Sequence, residues 1–574
     1  MITPIAIGIV STASAEELRY KELALQSLVK AVPSILKSFD RSTGRFGSGV
    51  WICTDQNVIF PLAVAWATKS DQNPYYHNPD LLEAIVAGGN ALIADADKDG
   101  AWVFRKKDNS TWGNIRMPWT YSRWIRAFSL IREAMPAKDR ERWEKALTLG
   151  YSNIMAKDIN RVHNIPTHHA MGLYCAGAIL GKPDWCQYAK DFMQKVVSEQ
   201  HIAGYWTEHF GPVVRYNMVY VDALGHYYAM SKDESVLPAL RRAARFHSMF
   251  TYPDGSLVET VDERNPYHKG IHMGNVGFTF TPEGRGYLAH QLALMEKSGL
   301  HISADDAASL LLYGEEGPFI PTPASQTDRL DVTPDGKALI ARKGPWFVCL
   351  SAYHCPISES RWIQDRQNLV SIFHDNAGLI LGGGNTKLQP LWSTFTVGDI
   401  SALAHKNGDE NPRFTPVGKL YHVPNAAGLR FEDRLGLGLV YGDERCSVLI
   451  DPIDEERLKI VLHCDTKSGL PVEAHLTFIP HLGQRFSTAK GVDKTLDETP
   501  FELAPKDLGE WIRHDKWMLS VPPMARVVLP ALPHNPYRKD GRAEPAEGRI
   551  VVAIPFSPDK KDCELVLTVS NREK

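Results

Sequence analysis

The sequence predicts an α+β multidomain fold, with an incomplete (α/α) toroid at the N-terminal side and an antiparallel β-sandwich or β-sheet domain after it. Three observations support this class. Apolar residues recur at helical spacing through about the first 315 of the 574 residues. After about residue 320, short β-branched runs separated by Gly, Asp, Asn and Pro replace that pattern. A segment rich in Pro and Thr lies between the two parts and is the expected linker.

The first part contains about eleven segments with helical periodicity. In the first segment Leu25, Leu28, Val32 and Leu36 recur at helical spacing, while Pro33 is expected to kink or end the helix. The predicted helices are 16–37, 56–68, 80–95, 119–134, 138–156, 168–180, 184–199, 217–229, 235–249, 281–297 and 303–312. No sharp repeat supports a consensus solenoid. Alternating helices in this number are what an (α/α) toroid requires, with inner helices that line a cleft.

The second part contains short apolar segments of strand type. They are 338–342, 346–352, 368–374, 378–381, 428–432, 437–442, 446–450, 459–463, 472–478, 525–529, 549–553 and 564–569. A stack of antiparallel sheets accounts for them. We therefore assign residues 1–15 to an N-terminal tail or signal remnant, 16–317 to a catalytic toroid, 318–335 to the linker and 336–574 to the sheet domain.

Charge and hydropathy exclude several functions. The 64 basic and 67 acidic residues give a net charge of −3, so no polycationic surface for nucleic acid is expected. Beyond the N-terminal segment no apolar run reaches the roughly 18 residues that span a bilayer. Residues 4–15 are apolar and end in Ala13-Ser14-Ala15, which is similar to a cleavage site, but no Lys or Arg precedes them. A periplasmic or secreted protein is expected, and a cytoplasmic one stays open.

Polar side chains are concentrated in two loops that each precede or begin a predicted helix. The first is HNIPTHH, residues 163–169, and the second is GYWTEHFGP, residues 204–212, followed by Arg215, Tyr216 and Tyr220. Helix caps and interhelical hydrogen bonds explain any one of these residues alone. The two loops together indicate a cleft, because a toroid opens its cleft at such helix ends.

This combination resembles the toroid-plus-β-sandwich polysaccharide lyases, the alginate lyase and heparinase II/III-like enzymes. The resemblance rests on the architecture and on an Asn and His loop followed by Glu208-x-x-Gly211-Pro212 and then a tyrosine. Those families commonly show adjacent Asn and His, whereas Asn164 is followed by Ile165 here, which leaves open which histidine fills the role. The resemblance implies cleavage of a uronic-acid polysaccharide by β-elimination.

In that reaction the proton on the carbon next to the carboxylate is removed and the glycosidic oxygen is expelled. Asn164, with a histidine or Arg215, is expected to hydrogen-bond the carboxylate and stabilise the developing negative charge. Tyr216 is expected to act as base, as acid, or as both. A free phenol has a pKa of ~10, so a basic role requires cations such as Arg215, His168 or His169 nearby. His168 or His169 is the alternative base.

Further residues are assigned to the same cleft. Tyr220 lies one helical turn after Tyr216, so that both can face the substrate. Trp206, Glu208 and His209 are expected to bind substrate. A second tyrosine, from the sheet domain, belongs to many sites of the resembling families, and Tyr353 and Tyr421 are both options for it.

A second polar cluster, residues 253–285, supplies Arg264, His268 and Arg285 as contacts for substrate carboxylates. An internal salt-bridge network is the alternative reading of this cluster. Trp119 and Arg123 belong to a run of tryptophans and arginines that suits an acidic sugar chain. Core packing explains the tryptophans of this run almost as well.

No cofactor is required for this chemistry. A structural metal ion remains an option, with His374-Asp375 and either His354 or His422 as its ligands. The eight cysteines form no CxxC pair. Gly382-Gly383-Gly384 lacks the context of a phosphate loop and is predicted to be a tight turn.

Two other functions stay open. The first is an inverting glycoside hydrolase on the same toroid, which needs two carboxylates about 6.5–9.5 Å apart. Its candidate carboxylates are Glu208, Asp222, Glu259, Asp262 and Glu283. The second is a glycan-binding protein without catalysis. The expected partner in all three cases is an acidic polysaccharide or oligosaccharide, and the oligomeric state is not predicted.

Overall fold

The computed structural model describes residues 16–47, 52–106, 108–403, 408–431 and 434–570. The predicted N-terminal tail, residues 1–15, lies outside this part of the chain. None of the described helices is both long enough and apolar enough to cross a lipid bilayer.

Helices form the N-terminal part. Within the described residues they are α1 Lys21–Lys37, α2 Ile52–Asp55, α3 Ile59–Ala67, α4 Pro79–Asp95, α5 Pro118–Ile131, α6 Ala137–Lys157, α7 Asn164–Leu180, α8 Pro183–Ser198, α9 Val214–Ser231, α10 Leu237–Met249, α11 Pro282–Lys297 and α12 Ala304–Tyr313. Each predicted helix corresponds to one of them, with ends that differ by a few residues. Pro33 lies inside α1 and does not end it. Packing of α1 against α12 compensates for the lost backbone hydrogen bond.

The helices close into a ring. Helices α3, α5, α7 and α9 contact each other in succession, and α12 contacts both α1 and α3. Nearly every residue of α3 is buried, as expected of an inner helix. Helices α6 and α8 pack on the outside of α7, and α10 packs on α9. The beginnings of α7 and α9 therefore lie side by side in the inner layer.

Short strands accompany the helices. They are β1 Glu17–Leu18, β2 Phe39–Asp40, β3 Arg45–Phe46, β4 Trp102–Arg105, β5 Thr111–Ile115 and β6 Gly317–Pro318. Strands β4 and β5 form an antiparallel hairpin that the sequence did not predict. Its alternation of apolar and polar residues is too short to separate from loop. This hairpin becomes one wall of the candidate site.

Within the described residues, the C-terminal part contains antiparallel strands and one short α-helix, α13 Pro505–Leu508. The strands are β7 Asp328–Val332, β8 Ala338–Lys343, β9 Trp346–Ser351, β10 Val370–His374, β11 Gly378–Leu381, β12 Phe395–Gly398, β13 Leu420–Tyr421, β14 Ala426–Arg430, β15 Leu435–Tyr441, β16 Glu444–Pro452, β17 Arg457–Asp465, β18 Val472–Phe478, β19 Arg485–Thr488, β20 Asp493–Thr495, β21 Phe501–Leu503, β22 Trp511–His514, β23 Trp517–Ser520, β24 Arg526–Ala531, β25 Arg549–Phe556 and β26 Asp562–Val569.

These strands form two large sheets in the described part of the chain. The first has the order β21-β24-β25-β18-β11-β10-β9-β8-β7, with β12 and β13 attached beside β18. The second has the order β14-β15-β16-β17-β26-β23-β22-β19-β20. Alternate residues of β17 are buried, and the two inner faces share one apolar core. The predicted fold class, a helical toroid followed by an antiparallel β-sandwich, is confirmed.

A separate apolar core joins the two parts. Val214, Phe250 and Tyr252 of the toroid pack against Ile340 and Phe373 of the first sheet. Strand β7 lies inside residues 318–335, the segment predicted as linker, and pairs with β8. Strands β1 and β6 pair with each other, which fastens the end of the toroid to its beginning.

Candidate active site

A cavity of about 1190 Å³ opens between the toroid and the sheet domain. The toroid lines it with the hairpin β4–β5, the first turn of α9 and the loop after Glu263. The sheet domain lines it with residues 533–542, the segment between β24 and β25. The predicted site residues in its lining are Trp119, Arg215, Tyr216, Arg264 and His268.

A hydrogen-bonded network outside the cavity lining is centred on Glu208, which is buried. The Asn164 amide nitrogen donates to Glu208 Oε2 at 2.6 Å, and the Tyr220 hydroxyl donates to Glu208 Oε1 at 2.7 Å. His163 Nε2 lies 3.0 Å from Glu208 Oε2. Burial raises the pKa of Glu208, and the hydrogen bonds from Tyr220 and Asn164 oppose that rise. The network joins the beginning of α7 to α9.

The Asn164 amide, which was expected to bind the substrate carboxylate, already makes hydrogen bonds within this network. Asn164 lies at the first position of α7, directly after an extended His163, and is 7% exposed. Its amide nitrogen contacts His163 Nδ1 at 3.2 Å in addition to Glu208. An amide has two N–H groups, so both have partners within the protein. In this arrangement Asn164 and Glu208 position neighbouring groups, and neither contributes to the cavity lining.

The Glu208-x-x-Gly211-Pro212 motif is held by the sheet domain. Glu263 and Arg366 form a fully buried ion pair at 3.2 Å. The Glu263 carboxylate accepts from the backbone N–H of His209 at 2.9 Å, and Arg366 donates to the Pro212 carbonyl at 3.3 Å. A Cβ on Gly211 would approach Arg366 to 2.6 Å. The glycine of the motif therefore permits the close approach of this arginine.

The cavity itself is lined by a pair of tyrosines, one from each domain. The hydroxyls of Tyr216 and Tyr537 lie 2.7 Å apart. Arg264 Nε donates to the Tyr537 hydroxyl at 3.3 Å, and its guanidinium carbon lies 5.4 Å from the centre of the Tyr216 ring. The Arg264 side chain also donates to the Trp362 carbonyl at 3.1 Å. A cation therefore lies beside two phenols that can exchange a proton.

Tyr216 and His163 are both uncharged at pH 7. Burial and the neighbouring Tyr537 raise the pKa of Tyr216 above its ordinary value, although the Arg264 guanidinium opposes this. Tyr216 is therefore a neutral phenol at rest. Burial, with a contribution from Arg161, lowers the pKa of His163 to about 4, so its imidazole is neutral at pH 7.

The two predicted catalytic histidines are not in this cavity. His168 is buried, contacts the Ser122 hydroxyl at 2.9 Å, and lies at a second cavity of about 530 Å³ inside the toroid, which Arg215 and Tyr216 also line. His169 is buried as well, and burial lowers its pKa to about 4. His168 lies one helical turn after Asn164 on the same face of α7, and His169 is rotated by about 100° from it.

Other predicted contacts also lie elsewhere. Trp206 is buried against Tyr220, with the two rings stacked at 4.9 Å. Arg285 donates to the backbone carbonyls of Pro318 and Thr279, at 2.7 and 2.8 Å. These side chains contribute to packing because their polar atoms already have partners.

Arg123 and His209 lie at the margins of the site. Arg123 pairs with Asp305, with its Nε 2.6 Å from the carboxylate, at the second cavity. The His209 ring lies 5.7 Å from the ring of His163. Burial and the neighbouring His163 lower the pKa of His209 to about 4. Tyr220 faces Glu208 rather than the cavity.

Sequence reasoning missed the sheet-domain residue. Tyr353 donates to Asp335 at 3.0 Å and Tyr421 lies on strand β13, so neither option meets Tyr216. Tyr537 does, and it lies in the segment PHNPYRKDGR, residues 533–542, which combines His, Asn and Pro, as residues 163–169 do, with Tyr, Lys and Arg. That composition was the available signal.

The proposed metal ligands do not come together. His374 Nε2 contacts the Glu455 carbonyl at 2.9 Å, and His422 Nε2 contacts Asp365 at 3.0 Å. In the described part of the chain, no group of three or more His, Cys, Asp or Glu residues is arranged to hold a metal ion. Cofactor independence stays a prediction.

Comparisons with known proteins agree with this architecture. Residues 53–266 match the family model of the ulvan lyase N-terminal domain. Heparinase III has a similar fold, with a TM-score of 0.50 and 10% identity over 99% of this chain and 87% of that chain. A second heparinase III structure gives 0.49 and 10% over 96% and 83%. A chondroitin lyase of the baculovirus envelope gives 0.47 and 9% over 96% and 84%.

No curated protein matches this chain in sequence. At such low identity the solved structures show the fold alone, and the family model adds the class of enzyme. The heparinase III structure confirms the fold that the resemblance implies, and the family model over residues 53–266 supports the prediction of a polysaccharide lyase.

Proposed function

We propose that this protein cleaves a uronic-acid polysaccharide by β-elimination in the cavity between its two domains. The observation that carries the proposal is the contact of the Tyr216 and Tyr537 hydroxyls at 2.7 Å beside the Arg264 guanidinium. Two phenols and a cation at a cavity wall supply a proton acceptor, a proton donor and a counter-charge for a carboxylate.

The two tyrosines divide the proton transfers. Tyr537, as a phenolate stabilised by Arg264, takes the proton from the carbon next to the substrate carboxylate. Tyr216, a neutral phenol, gives its proton to the leaving glycosidic oxygen as the carbon–oxygen bond breaks and the carbon–carbon double bond forms. The proton on Tyr537 then passes to Tyr216 through their hydrogen bond. This step restores the starting state without another base.

Arg264 is the first candidate for binding the substrate carboxylate. It lines the cavity, and no carboxylate within the described residues lies at ion-pair distance from it. Its hydrogen bonds to Tyr537 and to the Trp362 carbonyl use two of its five N–H groups, and the others can bind a substrate carboxylate. Arg215, exposed at the same wall, is the second candidate. Stabilisation of the carboxylate charge makes the neighbouring proton easier to remove.

Asn164 acts as a positioning residue in this scheme. Through Glu208 and Tyr220 it fixes the start of α7 against α9, one turn from Tyr216. Hydrogen bonds at an active site are often rearranged when substrate binds. The earlier role of Asn164, direct contact with the carboxylate, is retained as the alternative that its substitution tests.

A hydrolase is disfavoured by the placement of its candidate carboxylates. Glu208 and Glu259 are buried with hydrogen-bonding partners, and Asp262 accepts from the backbone of Arg264. Glu283 pairs with arginines at the outside of α10 and α11. Asp222, the fifth candidate, lies at the second cavity, 3.3 Å from His226 Nδ1. None of the five carboxylates belongs to the described lining of the main cavity.

A polymer panel tests the function. Ulvan comes first, since the matching family model is named for ulvan lyase; glucuronan, alginate and glycosaminoglycans follow. Elimination leaves a conjugated double bond, so ultraviolet absorbance rises together with reducing ends. Reducing ends without absorbance would assign a hydrolase, and binding without either signal would assign a non-catalytic protein. A polymeric substrate also implies a periplasmic or secreted location, which cell fractionation tests.

A further inference from the structure

The hairpin β4–β5 carries a buried lysine at the cavity wall. Lys106 is 7% exposed and lines the main cavity. Its ammonium nitrogen lies 4.1 Å from the centre of the Phe104 ring, 5.2 Å from Tyr537, 5.3 Å from Trp362 and 5.5 Å from Trp112. In the described residues no carboxylate reaches it at ion-pair distance. We call this arrangement the lysine cage.

Two arginines share the rings of the lysine cage. The guanidinium carbon of Arg264 lies 4.8 Å from the Trp362 ring, and that of Arg361 lies 5.0 Å from the Trp112 ring. Arg361 donates to the carbonyl of Arg538 at 2.6 Å, and its Nε is buried with no hydrogen-bond partner. Three cations therefore converge on the same aromatic surface.

The carboxylates near these cations, Asp108, Asp540 and Glu410, have other partners. Glu410 pairs with Lys539 at 2.7 Å, and Asp540 lies 3.6 Å from Arg542 Nε. Asp108, on the turn of the hairpin, accepts from the backbone N–H of Lys539 at 2.9 Å and from the Ser110 hydroxyl at 2.6 Å. Burial, followed by repulsion from Arg264, lowers the pKa of Lys106 to about 8, although Asp108 opposes this. Aromatic rings attract a cation but carry no net charge. A bound anion would remove the repulsion.

We infer that the lysine cage is a second anion-binding subsite, which takes a sulfate ester or a further carboxylate of the polymer. It lies next to the reaction site, because Tyr537 belongs to both: its ring faces Lys106 and its hydroxyl contacts Tyr216. The anion is therefore carried by the reacting sugar or its immediate neighbour. This inference rests on the proposed function for the identity of the polymer, not for the existence of the subsite.

Binding measurements test the subsite apart from turnover. The variant Lys106→Met keeps the apolar stem and removes the charge, while Lys106→Arg keeps the charge. Lys494→Met is the matched control. Lys494 lies on strand β20, its ammonium nitrogen is 3.6 Å from the centre of the Phe501 ring, and it does not belong to the described lining of the cavity. All three variants are made in the Tyr216→Phe protein, so that binding is measured without turnover. Titration calorimetry then gives their dissociation constants for native and for chemically desulfated ulvan.

We expect Lys106→Met to weaken binding about tenfold, the effect of losing one charge-assisted hydrogen bond, and Lys106→Arg and Lys494→Met to bind as the parent does. Weakening confined to the native polymer assigns a sulfate; equal weakening for both polymers assigns a carboxylate. Unchanged affinity for both polymers would overturn the subsite. If Lys106→Met fails to fold, Arg361→Gln is subjected to the same comparison.

The binding result for Lys106→Met does not depend on whether the protein catalyses β-elimination. For the activity control, Lys494→Met is also made in the chain that keeps Tyr216. If this protein forms no conjugated product while Lys106→Met binds more weakly, elimination is refuted and the subsite stays in place. Conjugated product together with unchanged binding would refute the subsite alone.

Discussion

Replacement of Tyr216 by Phe isolates the chemistry of one hydroxyl. The variant loses the 2.7 Å hydrogen bond to Tyr537 and keeps the ring beside the Arg264 guanidinium, 5.4 Å away. A solvent-accessible hydrogen bond of this kind contributes only about 0.5–1.5 kcal/mol to stability. The variant is therefore expected to fold and to bind polymer as the parent does.

Its turnover should fall much further. A positioned general acid typically contributes ~10²–10⁴-fold to a rate, which corresponds to about 3–5 kcal/mol in the activation free energy. We expect kcat to fall by that factor with KM nearly unchanged, because the hydroxyl acts on the leaving oxygen and not on ground-state binding. Initial rates of ultraviolet absorbance over a range of polymer concentrations separate the two constants.

A matched control is available in the sheet domain. Tyr353 also donates a hydrogen bond, to Asp335 at 3.0 Å, but does not belong to the described lining of the cavity. Tyr353→Phe should leave kcat unchanged. If Tyr216→Phe retains kcat within about threefold of the parent, or if Tyr353→Phe loses as much, the assignment of Tyr216 as proton donor is wrong.

Four further outcomes are expected. Tyr537→Phe should lower kcat by ~10²-fold or more in the absorbance assay, and a normal rate would exclude the sheet-domain tyrosine as base. Asn164→Ala should reduce kcat more than it raises KM, whereas a change in KM alone would indicate simple ground-state binding. Because the pKa of Lys106 is lowered to about 8, its charge is lost as pH rises through that value; KM should rise above pH 8 in the parent and stay flat in Lys106→Arg. Asp365→Ala, which leaves Lys387 buried without its 3.0 Å partner, should reduce the free energy of unfolding by about 3–5 kcal/mol in urea titration, and a loss below 1 kcal/mol would contradict this.

Local patterns accounted for most of the fold. Helical periodicity placed helices α3 to α12 within a few residues, because an amphipathic stripe depends only on neighbours three and four positions away. Alternation placed strands such as β17 and β18 for the same reason. The hairpin β4–β5 was not predicted, because its two strands are short and half exposed. Strand β7 was not predicted, because its polar residues are typical of a linker.

The candidate site was found only in part. Tyr216 and Arg264 were named from loops that crowd polar side chains, and both line the cavity. His168 and His169 were named from the same kind of loop, yet the rotation of α7 buries them. Composition shows that a loop is polar but not which way each side chain points. That direction depends on the packing of α7 against its neighbours.

The amino-acid sequence by itself determined the order of helices and strands, the change from one to the other and the polar loops at the starts of α7 and α9. Tertiary structure alone decided that Tyr537 meets Tyr216 across 321 positions of the chain, and that Lys106 reaches the same ring. The physical reason is distance along the chain. Spacing along the backbone constrains residues within a turn or a strand, whereas contacts between domains depend on how separate cores, such as the one joining Val214 to Ile340, pack together.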